Sequence, residues 1–244
     1  MTIAPLKIEP LKIALVGYGK MGRMLESLAG EYGMEVVLRL DEFNNASGEM
    51  FTRENFDAVD VAIEFTTPGT VVGNIEALAA LGVNTVVGTT GWLEEMPRVE
   101  AAVGRAGIGL VWSPNYSIGV NLFFRAVRQM AREMEAFPEY GAWAWEIHHA
   151  AKKDAPSGTL KMAVAEMRRG GYSRNIDESA SRAGAVPGTH EIGFDSAADT
   201  LTLRHTARSR EGFARGALKA AQWVKGKRGL FEFAEILLPP PENR

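Results

Sequence analysis

The sequence contains no cysteine, which excludes disulfides, thiolate metal sites and a cysteine nucleophile. It also lacks any apolar run near the roughly 18–20 residues that a bilayer-crossing helix needs. Its opening, Met1–Leu15, is interrupted by Lys7, Glu9, Pro10 and Lys12, so it has no unbroken stretch of the secretory kind. Neither sign of charge dominates: 27 basic and 30 acidic residues leave −3, which gives no basis for nucleic-acid binding. What remains is a globular composition, with 46% hydrophobic and 23% charged residues in 244. That length suits one large domain or two modest ones. A soluble, cytoplasmic protein is expected.

Leu11–Val16 is a mostly apolar run of the kind a doubly covered parallel sheet requires. Further strands are expected at Val36–Leu40, Val59–Phe65, Thr85–Val87 and Gly109–Trp112, with helices at Thr70–Leu81 and Leu93–Arg105. Strands alternating with helices predict a parallel α/β sheet. A tandem Pro-Leu-Lys-Ile at 5–8 and 10–13 reads as a loose arm entering the first strand, and Pro239–Pro241 ends regular structure.

After Ser117 the texture changes. Val120, Phe123, Phe124, Val127, Met130, Ala131 and Met134 recur at helical spacing. Trp143, Trp145 and Ile147 then alternate with Ala144, Glu146 and His148, the period of a two-faced strand. A helix is expected around Leu160–Met167, a mobile loop at Gly170–Pro187, a strand at Leu201–Thr206 and a closing helix at Glu211–Val224. The expected architecture is a parallel-sheet domain, 1–117 with 209–244, carrying a smaller α+β domain at 118–208. The five tryptophans, at 92, 112, 143, 145 and 223, read as packing residues.

Gly17-Tyr18-Gly19-Lys20-Met21-Gly22 lies between a predicted strand and a predicted helix. In that context the glycines permit a tight turn and close approach of a pyrophosphate to free helix N–H groups. Asp41 follows at about the 20-residue spacing at which an acid takes the adenosine ribose. Asp41-Glu42 disfavours a ribose phosphate and points to NADH, although Lys20 and Arg39 could compensate.

The densest chemistry lies in Glu146–Thr159. His148 shares a strand face with Glu146, and an imidazole beside a carboxylate can move a proton near neutral pH. Lys152 adds a cation. Ser157 is a plausible helix cap, leaving free N–H groups at Gly158 and Thr159. Together these form a receptor for a small carboxylated molecule. No metal is expected: the only other histidines besides His149 are His190 and His205, and thiolates are absent. Ser157 lacks the G-x-S-x-G turn of a hydrolase nucleophile.

The core His148-His149-x-x-Lys152-x-Asp154-Ala155-Pro156-Ser157-Gly158-Thr159 resembles the signature of the 4-hydroxy-tetrahydrodipicolinate reductase (dihydrodipicolinate reductase) family. Asp60–Pro68, Val87–Gly91, Ser113–Leu122 and Pro187–Phe194 are similar to further motifs of that family, in the same order. The resemblance implies a Rossmann domain plus a substrate and tetramerisation domain, hence a homotetramer, with a hinge whose closure excludes water. It implies NADH- or NADPH-dependent reduction of a cyclic dicarboxylate, with loss of water, on the diaminopimelate route to lysine.

By the same resemblance, Gly17–Gly22 would hold the pyrophosphate and Asp41 the ribose. Gly88-Thr89-Thr90 and Ser113-Pro114-Asn115-Tyr116 would line the nicotinamide. His148 would be the proton donor or acceptor and Lys152 a second donor. His149, with Ser157, Gly158 and Thr159 at the helix start, would bind the substrate. Two positions depart from the family pattern. Glu64 stands where Asp is commoner, in a segment read as supporting the sheet edge, and Glu42 stands where some members carry an arginine for NADPH. Competing readings are another nicotinamide-dependent oxidoreductase, such as a sugar or amino-acid dehydrogenase, and a non-catalytic NADH sensor.

Overall fold

A computed structural model of the protein describes residues 9–237, so the arm at 5–8 and the tail at 239–241 lie outside the described residues. The order of elements begins with β1 (Leu11–Val16), α1 (Lys20–Ala29), β2 (Met34–Leu40), α2 (Arg53–Phe56) and β3 (Val61–Glu64). It continues with α3 (Val71–Ala80), β4 (Asn84–Val87), α4 (Met96–Ala106) and β5 (Gly109–Trp112). There follow α5 (Ile118–Met134), β6 (Gly141–His148), α6 (Gly158–Arg169), β7 (Ile176–Arg182), β8 (Thr189–Asp195) and β9 (Thr200–Thr206). α7 (Glu211–Val224), β10 (Gly229–Glu232) and α8 (Phe233–Leu237) complete the described residues. Two compact units result: one runs through β5 to Tyr116 and resumes at Phe213, and the other is Ser117–Gly212. No helix among the described residues is long and apolar enough to cross a membrane.

The first unit holds a six-stranded parallel sheet in the order β10-β5-β4-β3-β1-β2. Ile13–Val16 and Val61–Ile63 are almost wholly buried, as strands covered on both faces must be. Helices bury stripes at helical spacing, such as Gly22, Leu25, Leu28 and Ala29 of α1. α4 stops at Gly107, whose φ of 66° lets its N–H reach the Val103 carbonyl. Trp92 and Trp112 pack edge to face with centroids 6.1 Å apart, and Trp223 meets Phe231 at 4.8 Å. β10 carries little pattern of its own and exists by pairing with β5.

The second unit is a four-stranded mixed sheet, β7-β6-β8-β9, with α5 and α6 in its core. Phe123, Phe124, Val127, Leu160, Met167, Ile192 and Phe194 fill that core. Each such side chain contributes about 1.5–3 kcal/mol by leaving water. The alternation along β6 holds: Ala142, Ala144, Glu146 and His148 are buried, while Trp143, Trp145 and Ile147 on the other face are half-buried. Trp143 lies across Gly193, where a Cβ would fall 2.1 Å from the indole.

One expectation fails here. Gly170–Pro187 is not a loop throughout, because Ile176–Arg182 forms β7, paired in parallel with β6 from Ala142 to His148. Its Asp-Glu-Ser interior is what an edge strand tolerates: one side of the backbone bonds to the sheet and charged side chains face solvent. Strand identity at an edge comes from the neighbour rather than from apolar periodicity.

Candidate active site

In the first unit the expected cofactor residues gather at the carboxyl ends of the parallel strands, around the point between β1 and β3 where strand order reverses. Gly17 has φ +97°, and a Cβ there would lie 2.0 Å from the Phe65 carbonyl. At Gly22 a Cβ would meet the Gly17 carbonyl at 2.6 Å, whereas at Gly19 it would meet nothing within 4 Å. Two glycines therefore close the turn, and the third leaves open space over the start of α1. No side chain caps that start, and the first helical bond joins Arg23 N–H to the Gly19 carbonyl. An uncapped helix end beside a bare glycine is a fitting cradle for a dinucleotide pyrophosphate.

Around this turn the side chains are engaged in different ways. The Tyr18 hydroxyl and the Arg39 guanidinium both bond Glu26. Asp41 accepts N–H bonds from Phe43 at 2.9 Å and Asn44 at 3.2 Å, shaping the loop after β2. Lys20 is exposed and Met21 half-buried. Thr89 Oγ1 accepts the Thr66 N–H at 2.7 Å, and Gly88 leaves room for the Phe65 ring, which a Cβ would strike at 2.1 Å. Thr90 and Pro114 are exposed. Ser113 Oγ accepts the Asn115 N–H at 3.1 Å. Tyr116 is buried, its hydroxyl 3.0 Å from the Val87 and Val111 carbonyls, so its place is beneath the loop ends rather than among them.

Glu64 corrects the sequence reading. Its strand is flanked by β1 and β4, so the residue sits inside the sheet and not at an edge. The carboxyl is fully buried and accepts bonds from the Thr66 hydroxyl and from Asn74 Nδ2 at 3.2 Å, while Oε2 has no partner among the described residues. Burial pushes its pKa up against these neutral donors.

The second unit concentrates its chemistry around β6. Glu146 and His148 point inward from that strand, and the register sets His190 of β8 directly opposite Glu146. Ser157 caps α6 by accepting the Leu160 N–H at 3.2 Å. Its own N–H donates to Glu146 Oε1 at 2.9 Å, and its hydroxyl donates to Oε2. Arg182, delivered by the unexpected strand β7, reaches Glu146 Oε1 at 2.9 Å and also bonds the Asp154 carbonyl. His148 Nδ1 and His190 Nε2 lie 3.6 and 3.4 Å from Oε2, with the two rings edge to face at 5.0 Å.

The loop after β6 carries half-buried His149 and then Lys152, whose ammonium pairs with Asp154 at 2.8 Å. Gly158 and Thr159 open α6, and a Cβ at Gly158 would meet nothing within 4 Å. Gly188, with φ +150°, lies against His148: a Cβ there would come 2.8 Å from Nε2. His205 stands instead by the start of α5, where a Cβ on Gly119 would lie 3.1 Å from its Nε2.

Electrostatics divides these groups. Burial raises the pKa of Glu146, but the Ser157 and Arg182 hydrogen bonds outweigh it and keep the group below the ordinary value, an anion. Burial lowers His148, aided by Lys152 and Arg182 and opposed by Glu146. His190 falls to about 4, through burial first and then repulsion by His148. Glu146, His148 and His190 bring three ligand-type atoms within 4.8 Å, a convergence that sequence spacing did not reveal. The Arg182 guanidinium already supplies the carboxylate's countercharge. His190, Arg182 and Gly188 escaped the sequence reading. For His190 a signal existed in Pro187–Phe194, but its pairing with Glu146 is a matter of strand register.

Comparison with known proteins bears on this arrangement. Residues 11–116 match the family model described as dihydrodipicolinate reductase, N-terminus, and residues 119–237 match its C-terminus counterpart. The 4-hydroxy-tetrahydrodipicolinate reductase of Caulobacter vibrioides is 37% identical over 254 aligned positions, covering 94% of this chain and 98% of the relative. That of Christiangramia forsetii is 33% identical, covering 93% and 98%. In fold, the chain is similar to a dipicolinate-bound dihydrodipicolinate reductase from Paenisporosarcina sp. TG-14, with TM-score 0.74, 23% identity and coverage of 94% and 100%. With both halves matched and relatives aligned nearly end to end, the chain belongs to the dihydrodipicolinate reductase family.

Proposed function

We propose that this chain reduces 4-hydroxy-tetrahydrodipicolinate to tetrahydrodipicolinate, with loss of water, in the diaminopimelate route to lysine, and that His148 and Lys152 handle the proton. The observation that carries the residue assignment is the buried Glu146–Ser157–His190 cluster, which fixes His148 beside the open N-terminus of α6.

Reduction of an unsaturated ring builds negative charge next to the reduced carbon, and a proton must follow. A positioned acid contributes about 10²–10⁴-fold at such a step. Burial disfavours the charged form of His148. A dicarboxylate arriving beside it favours the charged ring, so substrate binding itself loads the proton. Lys152, held by Asp154, is the second donor. His149, Ser157 and the Gly158 and Thr159 amides receive the carboxylates, because a helix N-terminus carries partial positive charge.

The nicotinamide dinucleotide supplies the hydride when bound. Gly17–Gly22 would hold its pyrophosphate, Asp41 its ribose, and Gly88-Thr89-Thr90 with Ser113-Pro114-Asn115 the nicotinamide side, with Tyr116 supporting those loops from below. NADH is the preferred form, since Asp41 and Glu42 repel a ribose phosphate and Arg39 is already paired with Glu26. Residues 118–208 serve as the substrate and oligomerisation domain of a cytoplasmic homotetramer.

The test is turnover with NADH and NADPH in parallel, the substrate being made in the cuvette from pyruvate and aspartate semialdehyde by its synthase. Substrate-dependent oxidation, faster with NADH, is expected. Absence of turnover in folded protein that binds NADH would point instead to another oxidoreductase or a sensor.

A further inference from the structure

We propose that Glu146 is a positioning residue: it holds the His148 ring in one tautomer and pins the first turn of α6 to β6, so that the proton carrier and the carboxylate-receiving amides form one piece. This rests on the reading of His148 as the proton carrier.

The hydrogen-bond inventory around Glu146 leads to this assignment. A carboxylate offers about four lone-pair sites. In Glu146, which is fully buried, three are filled: Oε1 by Ser157 N–H and Arg182, and Oε2 by the Ser157 hydroxyl. What remains of Oε2 faces two imidazoles. Since Ser157 gives its proton to Glu146, its oxygen acts as the acceptor toward His190 Nε2, 3.2 Å away. His190 therefore carries its proton on Nε2. Its Nδ1 is then a bare nitrogen, and that atom is buried without a partner among the described residues.

His148 follows by the same reasoning. Its Nδ1 is buried and makes no hydrogen bond among the described residues, while the Glu146 oxygen stands 3.6 Å away. A lone pair aimed at an anion is repelled and an N–H is attracted, so the proton sits on Nδ1. Nε2 is left as the basic atom beside Gly188, the position where a side chain would intrude. Proton uptake and release then occur at Nε2, and the resulting imidazolium faces Glu146 through Nδ1–H.

The charged and titratable groups facing this ring are Glu146 on its own strand, Lys152 and Asp154 on the following loop, Arg182 on β7 and His190 on β8. Lys152 and Arg182 oppose a positive ring, whereas Glu146 and Asp154 favour it, Glu146 more strongly. With Glu146 neutralised the cations prevail, and the charged form of His148 is disfavoured further.

The experiment compares Glu146→Gln with the unaltered enzyme. Glutamine has the same shape, and its carbonyl can accept the Ser157 N–H and the Arg182 guanidinium. The expected result is a kcat lower by on the order of 10²-fold, with the alkaline limb of the kcat–pH profile moved about one pH unit or more downward. NADH affinity, a property of the other unit, should stay unchanged.

In parallel, ¹⁵N NMR of the unaltered protein should find His148 as the Nδ1–H tautomer, a readout that stands even where the variant fails to fold. A folded Glu146→Gln enzyme with the original kcat and pH profile overturns the inference, as does an Nε2–H tautomer. His148→Gln separates the two readings. If it keeps full turnover, the assignment of His148 itself has failed and this inference falls with it. If it is inactive while Glu146→Gln is unaffected, the positioning role alone is refuted.

Discussion

Acidification should destabilise the protein through His190, by an amount that follows from its burial. The ring is 5% exposed and titrates at about 4 in the folded chain, against 6.5 for an ordinary histidine. A histidine whose folded pKa is depressed contributes stability that is complete above the unfolded value and is lost as pH falls toward the folded one. Going from about pH 7.5 to about pH 5, the unfolded chain takes up this proton and the folded chain does not, which removes about 2 kcal/mol. Below pH 4 the loss levels off at about 3 kcal/mol.

His190→Gln keeps an N–H donor for Ser157 and cannot titrate. Urea unfolding of both proteins across this range, read by Trp143 and Trp145 in the same sheet, should show the gap between them shift by about 2 kcal/mol in the variant's favour at low pH. His148 and His205 are also lowered by burial and are present in both proteins, so the subtraction leaves the His190 proton together with its coupling to these two rings. Parallel pH profiles for the two proteins would refute the argument. So would an NMR titration placing His190 near an ordinary histidine value.

Three further outcomes are expected. Gly17→Ala forces a Cβ to within 2.0 Å of the Phe65 carbonyl at φ +97°. It should destabilise the chain by about 1–3 kcal/mol or more and abolish NADH binding, as calorimetry and fluorescence titration would report. Lys152→Ala should lower turnover by about 10²-fold or more while leaving NADH affinity near normal, and a folded variant that loses NADH would contradict the role assigned to it. Glu64→Gln removes a carboxyl whose folded pKa is raised by burial, so the native side chain's contribution is full at low pH and declines as pH rises. Urea midpoints should therefore favour the variant progressively as pH rises above the ordinary carboxylate range, and a constant difference would show that Glu64 titrates normally.

The parallel sheet was legible because strands covered on both faces become continuous apolar runs, as in Leu11–Val16 and Gly109–Trp112. The strand Gly141–His148 was legible because its two faces differ, and Ser157 because a cap declares itself locally. Elements that depend on a neighbour were hidden. β7 is polar and lies at an edge, and β10 is four residues that pair with β5. Glu64 was misplaced for a related reason: strand order is a property of the whole sheet, and no feature of Val61–Glu64 reveals that β1 and β4 flank it.

The candidate site divides along the same line. Local sequence by itself determined the glycine turn, the alternation that turns Glu146 and His148 inward, and the helix start at Ser157, because each depends on backbone geometry within a few residues. Tertiary structure alone decided that Arg182 and His190 complete the cluster. They lie 36 and 44 positions from Glu146 (182 − 146 and 190 − 146), and only the pairing of β6 with β7 and β8 brings them to its carboxylate. The physical reason is that a buried charge must be answered by whatever donors the fold delivers, and chain folding rather than chain order selects them.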